Sequence, residues 1–165
     1  MQDIDISNKS FFSDLDDYDK MGFLLWKLNN YWQREFKKNF AELDLTHSQV
    51  LLLLSIMWEE EQKVSVTQKT LSDRTGIDPM TTSTVLRTLQ KKRLIRRKLN
   101  RKDSRTRLIS LTEEGKEMMD KTLQVTKKFN RTFFLPLQEQ QKQFQENLIA
   151  LLYADDTTRR HLIQN

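Results

Sequence analysis

The most prominent chemistry in this 165-residue sequence is a dense run of positive charge. Residues 87–107 contain eleven Lys and Arg side chains and a single acid, Asp103. Residues 64–112 carry 13 basic and 3 acidic groups, whereas residues 1–63 carry 7 basic and 12 acidic groups, so the positive excess is local. Such a density of cations predicts a polyanionic partner, with a merely solvated face as the alternative.

Several other kinds of chemistry are missing from the sequence. Its three glycines lie dozens of residues apart, so there is no glycine-rich loop of the kind that binds nucleotide phosphates. It contains no cysteine, which excludes disulfides, thiolate nucleophiles and cysteine-based peroxide sensing. The two histidines, His47 and His161, form no metal-ligand spacing and no catalytic constellation. We therefore expect a protein that is not an enzyme and that carries no metal and no cofactor.

The pattern of apolar residues indicates a mainly α-helical chain. An amphipathic stripe from Met21 to Leu43 predicts a long first helix. Thr46 opens a second helix with a capping box, and the apolar residues that follow, to about Trp58, predict that this helix lies in the core. Residues 63–66 alternate polar and apolar side chains, which predicts a short strand.

A helix-turn-helix is predicted next. Thr67 can cap a helix that ends before Gly76, since glycine suits the left-handed conformation after a last turn. Asp78 and Pro79 open the following helix, because proline fits a first helical turn. Spacing predicts an inward face of Thr82, Val85, Leu86 and Leu89, and an outward face that includes Thr81, Ser83, Thr84, Arg87 and Thr88.

A β-hairpin and two further helices complete the predicted architecture. Strand-like runs at 94–99 and 106–111 flank a polar turn at 100–104, and the resulting hairpin is rich in Lys and Arg. Thr112 can cap a long helix that Pro136 breaks, and a last helix follows. The sequence thus predicts a mainly α protein with a small β-hairpin wing, in which a winged helix-turn-helix is flanked by terminal helices.

These motifs resemble the MarR-type winged-helix transcriptional regulators in order and spacing. The family usually has glycine where this chain has Arg93, and it often has arginine where this chain has Thr84. Operator sequence therefore cannot be transferred from relatives. The matching pieces are residues 45–51 at the second helix, residues 71–97 across the helix-turn-helix, Asp103-Ser104-Arg105, and residues 111–115.

The resemblance implies a homodimer that binds pseudo-palindromic double-stranded DNA and regulates transcription, as a repressor released by a small ligand. It implies an N-terminal dimerisation segment over 1–45, a DNA-binding region over 46–112 and C-terminal dimerisation helices over 113–165, in one compact domain. The apolar stripes of both terminal segments support the dimer independently, because one helix-turn-helix is too small to cover them. Packing within one chain is the alternative.

Roles for individual residues follow from the same resemblance. The outward residues of the second helix-turn-helix helix would meet base edges or phosphates in the major groove. Arg105 resembles the wing-tip arginine that enters the minor groove, and Asp103 resembles the wing aspartate that holds an arginine and the hairpin. The other wing cations would contact phosphates without reading sequence. The residues predicted to bind DNA are Thr81, Ser83, Thr84, Arg87, Lys98, Arg101, Lys102, Arg105 and Arg107.

Effector, membrane and location are the remaining expectations. Family members bind small lipophilic or phenolic effectors between the dimerisation helices and the winged helix. The longest nearly apolar stretch, 50–58, is far shorter than the roughly 20 residues of a membrane helix, so we expect no membrane partner and a cytoplasmic, nucleoid-associated prokaryotic protein. A winged-helix module for protein interaction or plasmid replication is the alternative function. Trp26, Tyr31, Trp32, Phe36 and Trp58 could line an effector pocket, or could be ordinary core.

Overall fold

The computed structural model describes residues 15–154 except Lys102, and leaves out the Ser104 side chain. Within these residues the chain has the predicted winged-helix fold, mainly helical with one β-hairpin, and no helix among them is long and apolar enough to cross a membrane. Two compact units meet in sequence at Val125 and Thr126. The elements are α1 (Asp17–Asn39), α2 (His47–Glu61), α3 (Gln68–Thr75), α4 (Pro79–Lys91), β1 (Ile95–Asn100), β2 (Asp103–Leu111), α5 (Glu113–Phe134) and α6 (Gln141–Tyr153), with 3₁₀-helices at Ala41–Leu43 and Leu135–Gln140.

Side chains cap the helices of the helix-turn-helix as predicted. Thr46 begins α2 with a complete capping box, in which its hydroxyl accepts from the Gln49 N–H and the Gln49 side chain accepts from the Thr46 N–H. Thr67 begins α3 in the same way, and Gly76 ends it with φ 69°. These local bonds satisfy backbone groups that a helix end leaves unpaired.

The first helix differs from its predicted bounds at both ends. It begins at Asp17 because the Asp16 carboxylate accepts a hydrogen bond from the Asp19 N–H at 2.8 Å and caps the helix ahead of the apolar stripe. It ends at Asn39, and the predicted last turn forms the separate 3₁₀-helix. Sequence periodicity marks the buried face of a helix but does not mark the point where its hydrogen bonding stops.

The strand predicted at residues 63–66 is not formed. Lys63 adopts φ 58° and turns the chain sharply after α2. The Val66 carbonyl then accepts one hydrogen bond from the Ile109 N–H of β2, at 2.9 Å, which does not amount to a ladder. The Glu60 carboxylate accepts another from the Leu111 N–H at 3.1 Å. The end of α2 and the segment after it are therefore attached directly to the hairpin.

The hairpin is longer than predicted because β2 starts at Asp103. Leu99 pairs with Arg107, whereas the next residue, Asn100, pairs with Asp103. The extra residues of β2 form a bulge, so most of the polar segment predicted as a turn belongs to the strand. On the other strand, the observed start at Ile95 is one residue later than predicted.

The core of the first unit lies between α2, α3, α4 and the hairpin. Val50, Leu52, Leu53 and Ile56 of α2 are buried, as predicted for a central helix, whereas Trp58 at its end is exposed. On α4, Thr82, Leu86 and Leu89 face inward, as predicted. The fully buried large side chains include Phe40, Leu52, Leu53, Ile56, Leu71, Leu86, Leu89 and Met119.

The base of the hairpin closes tightly around Leu94. Its carbonyl accepts from the Thr112 N–H at 3.1 Å, and the Thr112 hydroxyl donates to the Arg93 carbonyl at 2.6 Å. The same hydroxyl accepts from the Gly115 N–H and caps α5 as predicted. A Cβ atom on Gly115 would collide with the Leu94 carbonyl oxygen. Arg93 has φ 61°, a left-handed conformation that explains why glycine is usual here in the MarR-type family.

The second unit contains the end of α5, the 3₁₀-helix and α6. Pro136 lies in this 3₁₀-helix, directly after the last turn of α5, and breaks the helix as predicted. Rings from both helices contact each other within the unit, with centroids 5.1 Å apart for Phe133 and Phe134 and 6.2 Å apart for Phe134 and Phe144. On α6, Leu151, Leu152 and Tyr153 are exposed.

Candidate nucleic-acid interface

The outward face of α4 is built around one helical stripe. Positions 80, 84 and 87 follow one another at helical spacing and share a face, with Thr81 beside them. Thr81, Thr84 and Arg87 are exposed, whereas Ser83 is half-buried at the edge of the stripe. The structure thus places the four predicted residues of this helix together on or beside one surface.

Hydrogen bonds within the helix engage the polar groups of this stripe. Hydrogen bonding from Thr81, whose N–H lies 2.9 Å from the Asp78 carboxylate, lowers the pKa of Asp78. The Thr84 hydroxyl donates to the Met80 carbonyl at 3.1 Å. Ser83 Oγ accepts from Nη2 of Arg87 at 3.2 Å, which orients the guanidinium. Ser83 therefore supports Arg87, and its own predicted contact with DNA stays a prediction.

Met80 is a surface residue that the sequence patterns did not single out. It lies in the first turn of α4, and its side chain is 81% exposed. Its position four residues before Thr84 could have placed it on the outward face. Charged and hydroxyl groups on a helix suggest DNA contact, whereas a single apolar side chain at a helix start gives no such signal.

Asp103 organises the tip of the wing. Its carboxylate accepts from the Arg105 N–H at 3.0 Å and from the Thr106 hydroxyl at 2.5 Å. These two bonds, the Thr106 bond first, lower the pKa of Asp103, so the carboxylate stays ionised well below neutral pH. Asp103 holds Arg105 through its backbone amide, and the Arg105 side chain is left exposed. Arg101 is exposed at the same tip, and Lys102 lies outside the described residues.

The cations of the hairpin are divided between its two faces. Alternation along the paired strands places Arg97 and Arg107 on the face that also carries the buried Ile95 and Ile109. Lys98 pairs with Leu108 and lies on the opposite face. The structure therefore does not bring Lys98 together with Arg107, although both were predicted as phosphate contacts.

Arg97 is the second residue to which the sequence patterns gave no role. Its Nε atom is buried and has no hydrogen-bond partner among the described residues. Burial lowers its pKa, and the charges of Arg107 and Arg87 lower it further. An unpartnered, partly desolvated cation facing two others is unfavourable in the isolated chain. Strand alternation alone could have placed Arg97 beside Arg107, but only the structure adds Arg87 from α4.

A groove joins the wing to the helix-turn-helix. One side of this wing groove is formed by Arg97, Arg105 and Arg107, and the other by Gln68 at the start of α3 and Pro79 at the start of α4. Its volume is about 760 Å³. The wing groove is open and cationic, and the exposed stripe of α4 begins at its edge.

The five aromatic residues predicted for an effector pocket lie in different places. Trp26 and Tyr31 are exposed on α1, and Trp58 stacks beneath the Arg74 guanidinium at 3.9 Å. Trp32 packs edge-on against the His47 ring. Of the five, Phe36 alone lines a cavity of about 1040 Å³ between the end of α1, the start of α2 and the end of α4.

Comparison with known proteins decides the family. The model of the family described as transcriptional regulator SarA/Rot matches residues 34–122, which include all of α2, α3, α4 and the hairpin. The chain belongs to the SarA/Rot family. This SarA/Rot-family chain is a DNA-binding transcriptional regulator, as predicted, and its relatives are transcriptional regulators and not enzymes.

Individual relatives of this SarA/Rot-family chain agree with that assignment. It is 42% identical over 113 residues to the uncharacterized HTH-type transcriptional regulator YdcH of Bacillus subtilis, covering 68% of this chain and 77% of the relative. It is 31% identical over 103 residues to the organic hydroperoxide resistance transcriptional regulator of the same organism, covering 62% and 67%. A mutant MarR from E. coli, solved with operator DNA, has a similar fold, with a TM-score of 0.71, 21% identity and coverage of 84% and 99%.

Proposed function

We propose that this chain is a homodimeric repressor that binds a pseudo-palindromic operator and leaves it when a small ligand binds. The observation that carries the proposal is that Pro79, directly before the outward stripe of α4, lines one groove together with the wing arginines Arg97, Arg105 and Arg107. In the proposed complex α4 enters the major groove, and Arg105 enters the adjacent minor groove. Arg97, Arg101, Lys102 and Arg107 bind phosphates.

Exposed apolar surface supports the homodimer. On α1, Met21, Leu24, Leu25 and Leu28 are all exposed, and Trp26 beside them is 63% exposed. Monomeric proteins rarely leave a contiguous apolar patch of this kind in water. A second copy of the chain would bury this stripe and the apolar residues of α6.

The cavity between α1, α2 and α4 supports control by a ligand. Thr88 of α4 and Lys92, directly after its end, line it together with Phe36 and His47. Burial lowers the pKa of His47, so its imidazole is neutral near pH 7 and suits a phenolic or lipophilic ligand. Lys92 also binds the Asp44 carboxylate at 2.8 Å, so a ligand here would act directly on the end of the recognition helix.

Selection of binding sites from random duplexes with purified protein tests the proposal. We expect two inverted half-sites whose centres lie about 10 base pairs or a multiple apart, because α4 of each protomer must enter the same face of the DNA. Sedimentation of the free protein should give twice the chain mass of 19.8 kDa. A non-palindromic site occupied by one protomer would contradict the proposed dimer.

Arg105→Ala and Ser83→Ala should then separate the two reading elements. Arg105→Ala is expected to cost about 1–3 kcal/mol per half-site and to weaken the preference for A·T pairs at the flanks of the operator. Ser83→Ala should cost less and change the preference at the one or two positions that Arg87 reads, because the guanidinium loses its orienting partner.

The measurement is affinity for a library of operator substitutions at fixed salt. Lys102→Ala is the control, since loss of a phosphate contact weakens all sequences about equally. If all three variants lost affinity equally for every operator sequence, the proposed separation between minor-groove reading by the wing and major-groove reading by α4 would be wrong.

A further inference from the structure

We infer that α4 reads thymine through its 5-methyl group, using Met80 and Thr84 as a methyl-bearing surface. The inference rests on the proposed insertion of α4 into the major groove. It states which chemical group of the bases α4 recognises in the major groove, a point that membership of the family does not decide. It also reverses the expectation that hydroxyl groups do the reading.

The first step is an account of the hydroxyl donors. The Thr84 hydroxyl hydrogen is used on the Met80 carbonyl, and the Thr88 hydroxyl hydrogen one turn further on is used on the Thr84 carbonyl. A threonine hydroxyl has one hydrogen to donate. Thr84, which is exposed on the outward stripe, therefore offers an outside partner its methyl group and an oxygen lone pair, and no donor without breaking a bond that the helix already makes.

The second step is the exposed apolar surface at the start of the helix. Met80 is 81% exposed, in the turn of a recognition helix that normally contacts base edges. Thr84 lies one turn further along the same face and is also exposed. The side chains of Met80 and Thr84 thus place apolar groups side by side, with Arg87 as the next group along the stripe.

The third step is the chemistry of the groove. Base edges in the major groove present donors and acceptors at every base pair, and the thymine 5-methyl is the apolar group among them. An apolar contact buries a methyl group of the DNA and one of the protein together, which is favourable in water. A methionine at this position has no donor with which to satisfy a polar base edge.

Replacement of single thymines by deoxyuridine tests the inference, because it removes only the 5-methyl group. Once the operator is selected, each thymine of a half-site is replaced in turn and affinity is measured at fixed salt. We expect one or two positions per half-site at which the replacement lowers affinity about fourfold, the worth of one buried methyl or methylene group. In Met80→Gln the loss at one of these positions should disappear, whereas Met80→Leu should keep it.

Two substitutions of Thr84 form the matched control. Thr84→Val keeps two methyl groups and removes the hydroxyl, so it should bind about as tightly as the original protein and keep its sensitivity to deoxyuridine. Thr84→Ser keeps the hydroxyl and removes the methyl group, so it should bind more weakly and lose that sensitivity at one position. Thr84 is exposed, and equal melting temperatures of the two variants would show that both are folded.

The outcomes separate this inference from the proposed function. If no thymine is sensitive to deoxyuridine, or if Thr84→Ser binds normally while Thr84→Val does not, methyl recognition is overturned and hydroxyl recognition takes its place. If the original protein selects no palindromic site, the proposed function fails before this test begins. Sensitivity that remains unchanged in every Met80 and Thr84 variant would place the methyl contact elsewhere and overturn the inference as well.

Discussion

Between 50 and 200 mM salt, the affinity of the proposed dimer for its operator is expected to fall by roughly 10³ to 10⁵. That range applies if the two winged helices together neutralise about 6 to 10 phosphates, which displaces condensed counterions from the DNA. The clustering of the exposed wing cations Arg101, Arg105 and Arg107 with Arg97 and Arg87 supports a count of this size. Titrations at four or five salt concentrations give the slope directly, and a flat response would contradict an electrostatic interface.

Arg97→Met should lower this salt slope and at the same time make the free protein more stable. The free protein gains because a desolvated cation beside Arg87 and Arg107 is replaced by an apolar side chain of similar length. The slope should fall by about 0.9 for each phosphate contact that is lost. Melting temperature and salt titration are measured on the same sample. Lys98→Met is the matched control on the opposite face of the hairpin, where no gain in stability is expected.

Arg74→Ala is expected to lower the free energy of unfolding by about 3 kcal/mol, because it leaves the buried charge of Glu59 unpaired. Nε of Arg74 lies 2.5 Å from the Glu59 carboxylate, whose side chain is only 6% exposed. The same guanidinium covers the Trp58 ring, so the substitution removes a stacking contact as well. Because Glu59 and Trp58 belong to α2 and Arg74 to α3, this pair joins the helix-turn-helix to the central helix.

Urea unfolding measures this loss, and the same helix supplies its control. Lys69 and Asp73 of α3 form an ion pair whose side chains are 82% and 63% exposed. Lys69→Ala should change the free energy of unfolding by less than about 1 kcal/mol, because solvent screens an exposed pair. Equal effects of the two substitutions would show that burial of Glu59 does not set the strength of the Arg74 interaction.

Local signals in the sequence are sufficient to predict the helix-turn-helix. Thr46, Thr67 and Asp78 cap their own helices, so the information that begins each helix lies within three residues of its start. Residues 63–66 do not form the strand that their local pattern predicts. The Val66 carbonyl accepts a backbone hydrogen bond from Ile109, which is far away in the sequence. A local sequence pattern does not show how many hydrogen bonds the segment will form with a strand that is distant in the sequence.

The candidate site is likewise predictable where it depends on local spacing, and not where it depends on contacts that form only in the folded chain. Helical spacing alone is enough to place Thr81, Thr84 and Arg87 on one surface. It does not reveal that the Thr84 hydroxyl is engaged within the helix, since that depends on side-chain rotation. The faces of the wing depend on strand register, and the observed pairing places Arg97 on the same face as Arg107 and Lys98 on the opposite face.

The tight closure at the base of the hairpin has a consequence for how the protein tolerates mutation. Any residue other than glycine at position 115 brings a Cβ atom against the Leu94 carbonyl, which is part of the backbone and has little room to move. Gly22 has open space around it and should accept alanine freely. In a survey of all single substitutions scored by folded yield, position 115 should therefore accept no replacement, although it lies in the first turn of a helix, where alanine is otherwise the preferred residue. The closure between β1 and α5 therefore restricts position 115 independently of any contact that the wing makes with DNA.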